Sequence, residues 1–588
     1  MQYGSSHKAM KRSFFPGIFF SIIVAIASLI PPSVAVNVDR ATPTTNLDRT
    51  RQGMVAAAHP LATEAGLAIL KQGGSAIDAA IATTFAVSVV EPFSAGIGGG
   101  GFMLTYQAKT NETKALDFRE RAPMKASRNM YLDAGGKVRP GASTDGHLAV
   151  AVPGTIAGLY EAHRQGGRLP WKTLIAPAIE LANQGYPVSY RFVESTRLRQ
   201  KVLINNPDAR RIFTHDGKLY QPGEILVQKD LAKTLSTIAD NPQSFYTGNI
   251  ASAIAQDMRA NGGLITIDDL KQYRPTSRTP VCGTFRQSRV CSMPPPSSGG
   301  VHLIQMLNMI GDTDLKTWGW HHPDALHLMV ESMRIAYADR ATYLGDPDFV
   351  KVPVSALINP EYARIRRQQI DLKKATPSTQ VKPGDPNLLQ RLSRESTETT
   401  HLSVVDADRN AVSLTFTVNL GFGAGVVAKG TGIVLNNEMD DFASAPNTPN
   451  AFGLVGGEAN AIAPRKIPLS SMTPTIVTEN NRLRMVVGAP GGSTIITTVM
   501  QVLLNTLVYD MDARRAVSAS RIHHQWLPDK VMIEQFGIEP LTLNDLKQRG
   551  HQFQERSSWG NANAIVVRSD GFLDGAADPR GEGVAAGY

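Results

Sequence analysis

Residues 399–419 read TTHLSVVDADRNAVSLTFTVN, and residues 372–398 just before them read LKKATPSTQVKPGDPNLLQRLSRESTE. The two stretches differ sharply in texture. The upstream one is polar and rich in Pro, Ser, Thr and charge, as a surface or flexible segment is. The downstream one holds two β-like runs, LSVV and AVSLTFT, on either side of Asp406-Ala407-Asp408-Arg409-Asn410, a spacer whose turn-forming residues predict a β-hairpin. A strand therefore begins abruptly at the junction Glu398-Thr399-Thr400-His401. A threonine hydroxyl is a weak nucleophile and needs a base, and one solution frees the threonine's own α-amine by cutting the chain before it. A polar segment that can leave, running into a threonine-led strand, suits such a cut. A loop meeting an edge strand, with no chemistry, is the plain alternative.

Upstream, residues 59–92 (HPLATEAGLAILKQGGSAIDAAIATTFAVSVVEP) predict two packed helices. Pro60 suits a first helical turn, Gly73 a helix end, and Ser75 with Asp78 three residues on a capping box. Residues 93–118 hold a glycine run and β-like runs. From Thr155 to about Asp339 helical periodicities dominate, and PPPSSGG (294–300) reads as a rigid turn before a helix. Downstream, β-like runs at 471–477 and 483–487 precede a helix near 494–507. No internal repeat is evident.

Composition bounds the class. The chain has 588 residues, 42% hydrophobic and 19% charged, so it can bury a large core; a disordered, collagen-like or coiled-coil protein is excluded. Length alone allows two to four domains or one unusually large one. The formal charge is +9, but three of the basic residues, Lys8, Lys11 and Arg12, stand ahead of an uncharged run to Ile30. Pro31-Pro32 ends that run, and small residues follow at Ser33-Val34-Ala35. Residues 1–35 thus read as a secretory signal cleaved after Ala35, with an uncleaved anchor as the alternative. Removal leaves +6. The remaining positive residues are dispersed without a recognition motif, so no nucleic-acid partner is expected. No later segment approaches 18 uncharged apolar residues, so the mature protein is expected to be periplasmic or secreted, with no membrane span. Cys282 and Cys291, in TPVCGTFRQSRVCSM (279–293), would face each other across a hairpin. A disulfide suits an oxidising compartment; two buried free thiols are the alternative.

Several motifs fail in context. Gly96-Ile97-Gly98-Gly99-Gly100-Gly101 matches a dinucleotide fingerprint, but FMLTYQ after it reads as a strand where a helix is required, so the run is a tight backbone turn near a site. His322 before Pro323 and Asp324 reads as a helix cap, and His523-His524 point apart, so no metal site is expected. G-x-S-x-G is absent.

The hairpin, with VLNNEMDDF (434–442), PLSSMTPTIV (468–477) and GAPGGS (488–493), resembles the γ-glutamyltranspeptidase family of N-terminal nucleophile hydrolases. GLAILKQGGSAIDAA, VVEP, GIGGGGF, LDFRERAP, AVPG, YADRATYLGDPDF, HHQWLPD, DPR and the final AAGY also resemble family segments, in family order, from about residue 54 to Tyr588. The resemblance implies an α+β fold, a four-layer αββα sandwich formed jointly by two chains of one precursor. These are a large subunit (36–398) and a small catalytic subunit (399–588). It implies a γ-glutamyl transferase and hydrolase that acts on glutathione and related γ-glutamyl compounds through a γ-glutamyl-threonine ester, with water, amino acids or peptides as acceptors and no cofactor.

Residue by residue, the resemblance makes Thr399 the nucleophile, Glu398–Thr399 the cleavage site and Thr417 the hydroxyl that aims it. Gly491 and Gly492 would hold the oxyanion. Arg119, Ser470 and Ser471 would take the substrate's α-carboxylate, and Asn419, Glu438 and Asp441 its ammonium group. Residues 446–457 resemble a lid, with Phe452 where many relatives have Tyr, so a lid held more by packing than by hydrogen bonds is expected. Arg409 stands where the family usually has Gly. Two other functions fit less closely: a related cephalosporin (glutaryl) acylase, which has no need of an ammonium cage, and a processed but inactive binding protein.

Overall fold

The computed structural model describes residues 48–215, 217–385, 401–445 and 448–588. The proposed signal, Glu398 and Thr399 lie outside the described residues. The hairpin downstream of them is present: Leu402–Val405 pairs antiparallel with Ala411–Thr417, Leu402 opposite Leu414 and Val405 opposite Ala411. Its turn is closed by Asp406, whose Oδ1 accepts the Asn410 N–H at 2.9 Å. Arg409 takes the left-handed conformation there (φ 66°), which costs a side-chain-bearing residue roughly 1–2 kcal/mol. Its guanidinium offsets that cost by donating to the carbonyls of Arg51, Gln52 and Gly571.

This hairpin lies at the centre of one of two seven-stranded antiparallel sheets. The first runs Val584–Gly587, Met54–Ala57, Leu402–Val405, Ala411–Thr417, Gly100–Gln107, Glu112–Phe118, Thr276–Arg278. The second runs Arg49–Thr50, Leu573–Ala577, Asn563–Val567, Arg482–Gly488, Thr475–Glu479, Ser288–Ser292, Val281–Phe285. Both sheets mix strands from before and after residue 399, so the polar segment is no boundary between separately folded domains.

The pleat sends successive side chains of the central strands to two different covered faces. Val55, Ala57, Leu402, Val404, Val412 and Leu414 face a core shared with the helices Pro60–Lys71 and Ala76–Val90. Their neighbours Met54, Ala56, Val405 and Ala411 face a core shared with the second sheet and the helices Gly299–Ile310 and Ile495–Leu507. A strand covered on both faces buries its polar side chains too, and Ser403, Ser413 and Thr415 are all fully buried. The first two helices begin as the sequence indicates: Pro60 opens one, and Ser75 and Asp78 form a reciprocal capping box on the other. His322 caps Pro323–Tyr343 through its ring nitrogen. Cys282 and Cys291 are cross-strand partners joined by a disulfide. Among the described residues no helix is long and apolar enough to cross a membrane.

Candidate active site

Thr417 ends the central hairpin, opposite Gly100. The glycine run explains itself at this point: a Cβ on Gly99 would lie 1.8 Å from the Thr417 carbonyl oxygen, so only glycine lets the two backbones meet. Beyond Thr417 the chain turns through Asn419 (φ 76°), whose N–H donates to Thr417 Oγ1 at 2.8 Å and whose side-chain amide donates to the Asn437 carbonyl at 3.0 Å. These residues open onto a cavity of about 220 Å³. It gathers the expected Arg119, Thr417, Asn419, Glu438, Asp441 and Phe452 with Ser470, Ser471, Gly491 and Gly492. They come from segments hundreds of residues apart. His401, the first described residue after the proposed cut, also lines it.

One corner is ionic. Arg119 follows the strand Glu112–Phe118 and is 1% exposed. Its Nη1 meets Glu438 Oε1 at 2.6 Å and its Nη2 meets Asp441 Oδ2 at 2.6 Å, with Glu120 at 3.8 Å. Burial opposes the charge on Arg119, but Glu438, Asp441 and Glu120 outweigh it and hold the guanidinium above its ordinary value. Burial pushes the Glu120 carboxyl up to about 7 against the pull of Arg119, and raises Glu438 for the same reason. The arginine expected to meet a substrate carboxylate and the two acids expected to meet its ammonium group are thus paired with one another in the free site.

Another part of the lining is hydroxyl-rich. Ser470 is held by its N–H to the Pro296 carbonyl at 2.8 Å, and its carbonyl accepts from Ser298. Gly491 and Gly492 adopt φ of 136° and 57° and lead through a single 3-10 turn into the helix Ile495–Leu507, within one residue of the start expected near 494. A Cβ on Gly492 would sit 2.3 Å from Phe452 Cδ1, so the lid ring rests directly on the glycine pair. The lid is tied down by more polar contacts than the missing hydroxyl suggests. Ala451 N–H donates to Asp440 Oδ2 (3.0 Å), Asn450 Nδ2 to Asp441 Oδ1 (3.1 Å), and Gln525 Nε2 to the Gly453 carbonyl (3.1 Å).

Three further side chains near the cavity are buried without any local sequence signal of it. Glu120 adjoins Arg119 in the quoted LDFRERAP. Arg340 lies behind Ser471, and His401 sits inside the quoted TTH. The His401 ring is pushed down to about 3 by burial and is therefore neutral, with Nε2 2.5 Å from Ser403 Oγ and Nδ1 3.3 Å from Ser413 Oγ. No group of three or more His, Cys, Asp or Glu is arranged to hold a metal among the described residues.

A family profile described as Gamma-glutamyltranspeptidase matches residues 62–588. The chain belongs to the γ-glutamyltranspeptidase family. Among similar proteins, the Glutathione hydrolase proenzyme of Escherichia coli (strain K12) is 46% identical over 543 residues, covering 92% of each chain. That of Bacillus subtilis (strain 168) is 37% identical, covering 95% of this chain and 96% of the relative. Of solved structures, the γ-glutamyltranspeptidase of Helicobacter pylori is 45% identical (TM-score 0.56), over 57% of this chain and 96% of that one. A cephalosporin acylase from Bacillus halodurans is 30% identical (TM-score 0.81), over 92% and 96%. The chain is thus an enzyme of the γ-glutamyltranspeptidase type, with an α+β fold.

Proposed function

We propose that this γ-glutamyltranspeptidase is made as a precursor that cuts itself between Glu398 and Thr399. The new N-terminal threonine then transfers the γ-glutamyl group of glutathione and related compounds to water, amino acids or peptides. The observation that carries it is the convergence of the motif residues on one cavity lined by His401. Thr399 is two residues upstream, a span of at most about 7 Å of chain.

In the cut, Thr399 Oγ attacks the Glu398 carbonyl carbon. The peptide C–N bond breaks as the C–O bond forms, and water opens the ester to leave a Glu398 carboxylate and a free Thr399 amine. In turnover the same oxygen attacks the donor's γ-carbonyl while the α-amine takes the hydroxyl proton and passes it to the leaving amine. The Gly491 and Gly492 N–H groups, with the helix start behind them, are suited to stabilise the oxyanion. Water or an amine then releases the γ-glutamyl ester. Thr417 would aim Thr399. Arg119, Ser470 and Ser471 would take the donor's carboxylate, and Asn419, Glu438 and Asp441 its ammonium. The donor's charged end would replace part of the Arg119–Glu438–Asp441 pairing with contacts of like kind.

The two sheets and their helices support the four layers of an αββα sandwich shared by chains 36–398 and 399–588. The disulfide supports an oxidising, periplasmic or secreted location after loss of residues 1–35. A second activity, glutaryl acylation chemistry, draws support from the likeness to a cephalosporin acylase. The acid cluster at Glu438 and Asp441 favours a donor carrying an ammonium group.

The test is a denaturing gel with N-terminal sequencing of wild type and Thr399→Ala, together with assays on γ-glutamyl and glutaryl anilides. Two bands, a small chain starting at Thr399, and preference for the γ-glutamyl donor are expected. A small chain starting elsewhere, or a Thr399→Ala protein that still splits and turns over, would refute the mechanism. Preference for the glutaryl donor would favour the acylase.

A further inference from the structure

Arg340 projects from the helix Pro323–Tyr343 and is 5% exposed. Unlike Arg119, it has no carboxylate within 4.0 Å among the described residues. Its Nε donates to Ser298 Oγ at 2.9 Å and its Nη2 to Ser471 Oγ at 3.0 Å. A guanidinium carries donors only, so both hydroxyl oxygens must accept, and each hydroxyl proton must turn elsewhere. Ser298 directs its proton to the Ser470 carbonyl at 2.9 Å. Ser471 has no such acceptor among the described residues, and it lines the cavity; its proton is left to point inward. Ser470 is set in the same sense, because its Oγ accepts the Met472 N–H at 3.2 Å.

We infer that Arg340 is a positioning residue for donor selection: it turns the Ser471 hydroxyl proton into the cavity and keeps behind it a positive charge that no described carboxylate pairs, so that the enzyme selects donors bearing an α-carboxylate. Arg119 cannot supply that unneutralised charge by itself, since both of its terminal nitrogens face carboxylates. A neutral carboxamide gains nothing from that charge, so it should be the poorer donor. This inference rests on the placement of the donor's α-carboxylate at Ser470 and Ser471 proposed above.

The test compares the γ-glutamyl anilide with its α-carboxamide analogue, on the full processed enzyme. Wild type should strongly prefer the carboxylate donor. Arg340→Lys keeps a charge but loses the two-pronged fork, and should raise KM for the carboxylate donor about tenfold, with kcat within about threefold, while kcat/KM for the carboxamide changes less than about twofold. Ser298→Ala, which removes the second anchor of the guanidinium and leaves its charge, should give the same selective rise at smaller size. It serves if Arg340→Lys is not recovered as processed protein. In the double variant with Ser471→Ala, the effects should fail to add. Equal losses on both donors, a fall in kcat alone, or additive effects with Ser471→Ala would overturn the assignment. A wild type indifferent to the α-carboxylate would overturn the proposed substrate placement itself, and a distinct outcome, a wild type inactive on γ-glutamyl donors, the activity.

Discussion

Two arginines are buried at one cavity and held in opposite ways. Arg119 is surrounded by Glu438, Asp441 and Glu120, which hold its guanidinium above the ordinary value. Arg340 is surrounded by hydroxyls, and burial lowers it against the pull of Tyr337 and Asp441. The first arginine lets a cluster of acids be buried. The second leaves a positive potential uncancelled next to two serines. Acids and donating hydroxyls line the same cavity, and in the proposed binding mode the charged end of an amino acid, ammonium and carboxylate on one carbon, would meet both.

The contrast is broken most directly by removing each arginine in turn. Arg119→Met strands two or three buried carboxylates and should cost about 3–5 kcal/mol in urea unfolding, with γ-glutamyl anilide hydrolysis reduced at least about 100-fold. Arg340→Met strands only neutral hydroxyls and should cost about 1–3 kcal/mol. Equal costs would mean that the two environments do not differ as described. Next in size is a pH effect. Glu120 ionises near 4.3 unfolded and near 7 folded. Between those values the folded state holds more protons, so stability is greatest on the acid side and falls as pH rises through about 4.5 to 7. Glu120→Gln should flatten that slope by an amount on the order of 1 kcal/mol in unfolding measured at pH 5 and pH 8; Glu438, raised by the same burial, should keep a residual slope. The smallest effect on activity belongs outside both corners. Cys282→Ser with Cys291→Ser should lower stability by about 2–3 kcal/mol, by freeing the unfolded chain, and should leave kcat/KM unchanged within about twofold.

Much of the local structure was legible in the chain. The turn Asp406–Asn410 between two β-like runs, the capping box at Ser75 and Asp78, and His322 before Pro323 carry their chemistry within a few residues, and each forms the element it signals. The strand after Gly101 was likewise enough to reject a dinucleotide loop. The ionic corner was legible only in part. Arg119, Glu438 and Asp441 emerge from motifs, but nothing local says that residues 322 positions apart are bonded to each other before a substrate arrives. Glu120 and Arg340 carry no local mark of burial, because a charged residue, taken alone, is far more often solvated than buried.

The sequence by itself determined the family and the nature of most elements, and it is the source of the proposal that a cut before Thr399 creates a base, because motif order, turn chemistry and periodicity are local quantities. Only the tertiary structure decided that strands from both sides of residue 399 share both sheets. It alone also decided that one buried arginine is neutralised while the other is not. Sheet partners and charge compensation depend on which distant groups meet away from water, and burial multiplies the energy of those meetings far beyond what any neighbour in the chain contributes.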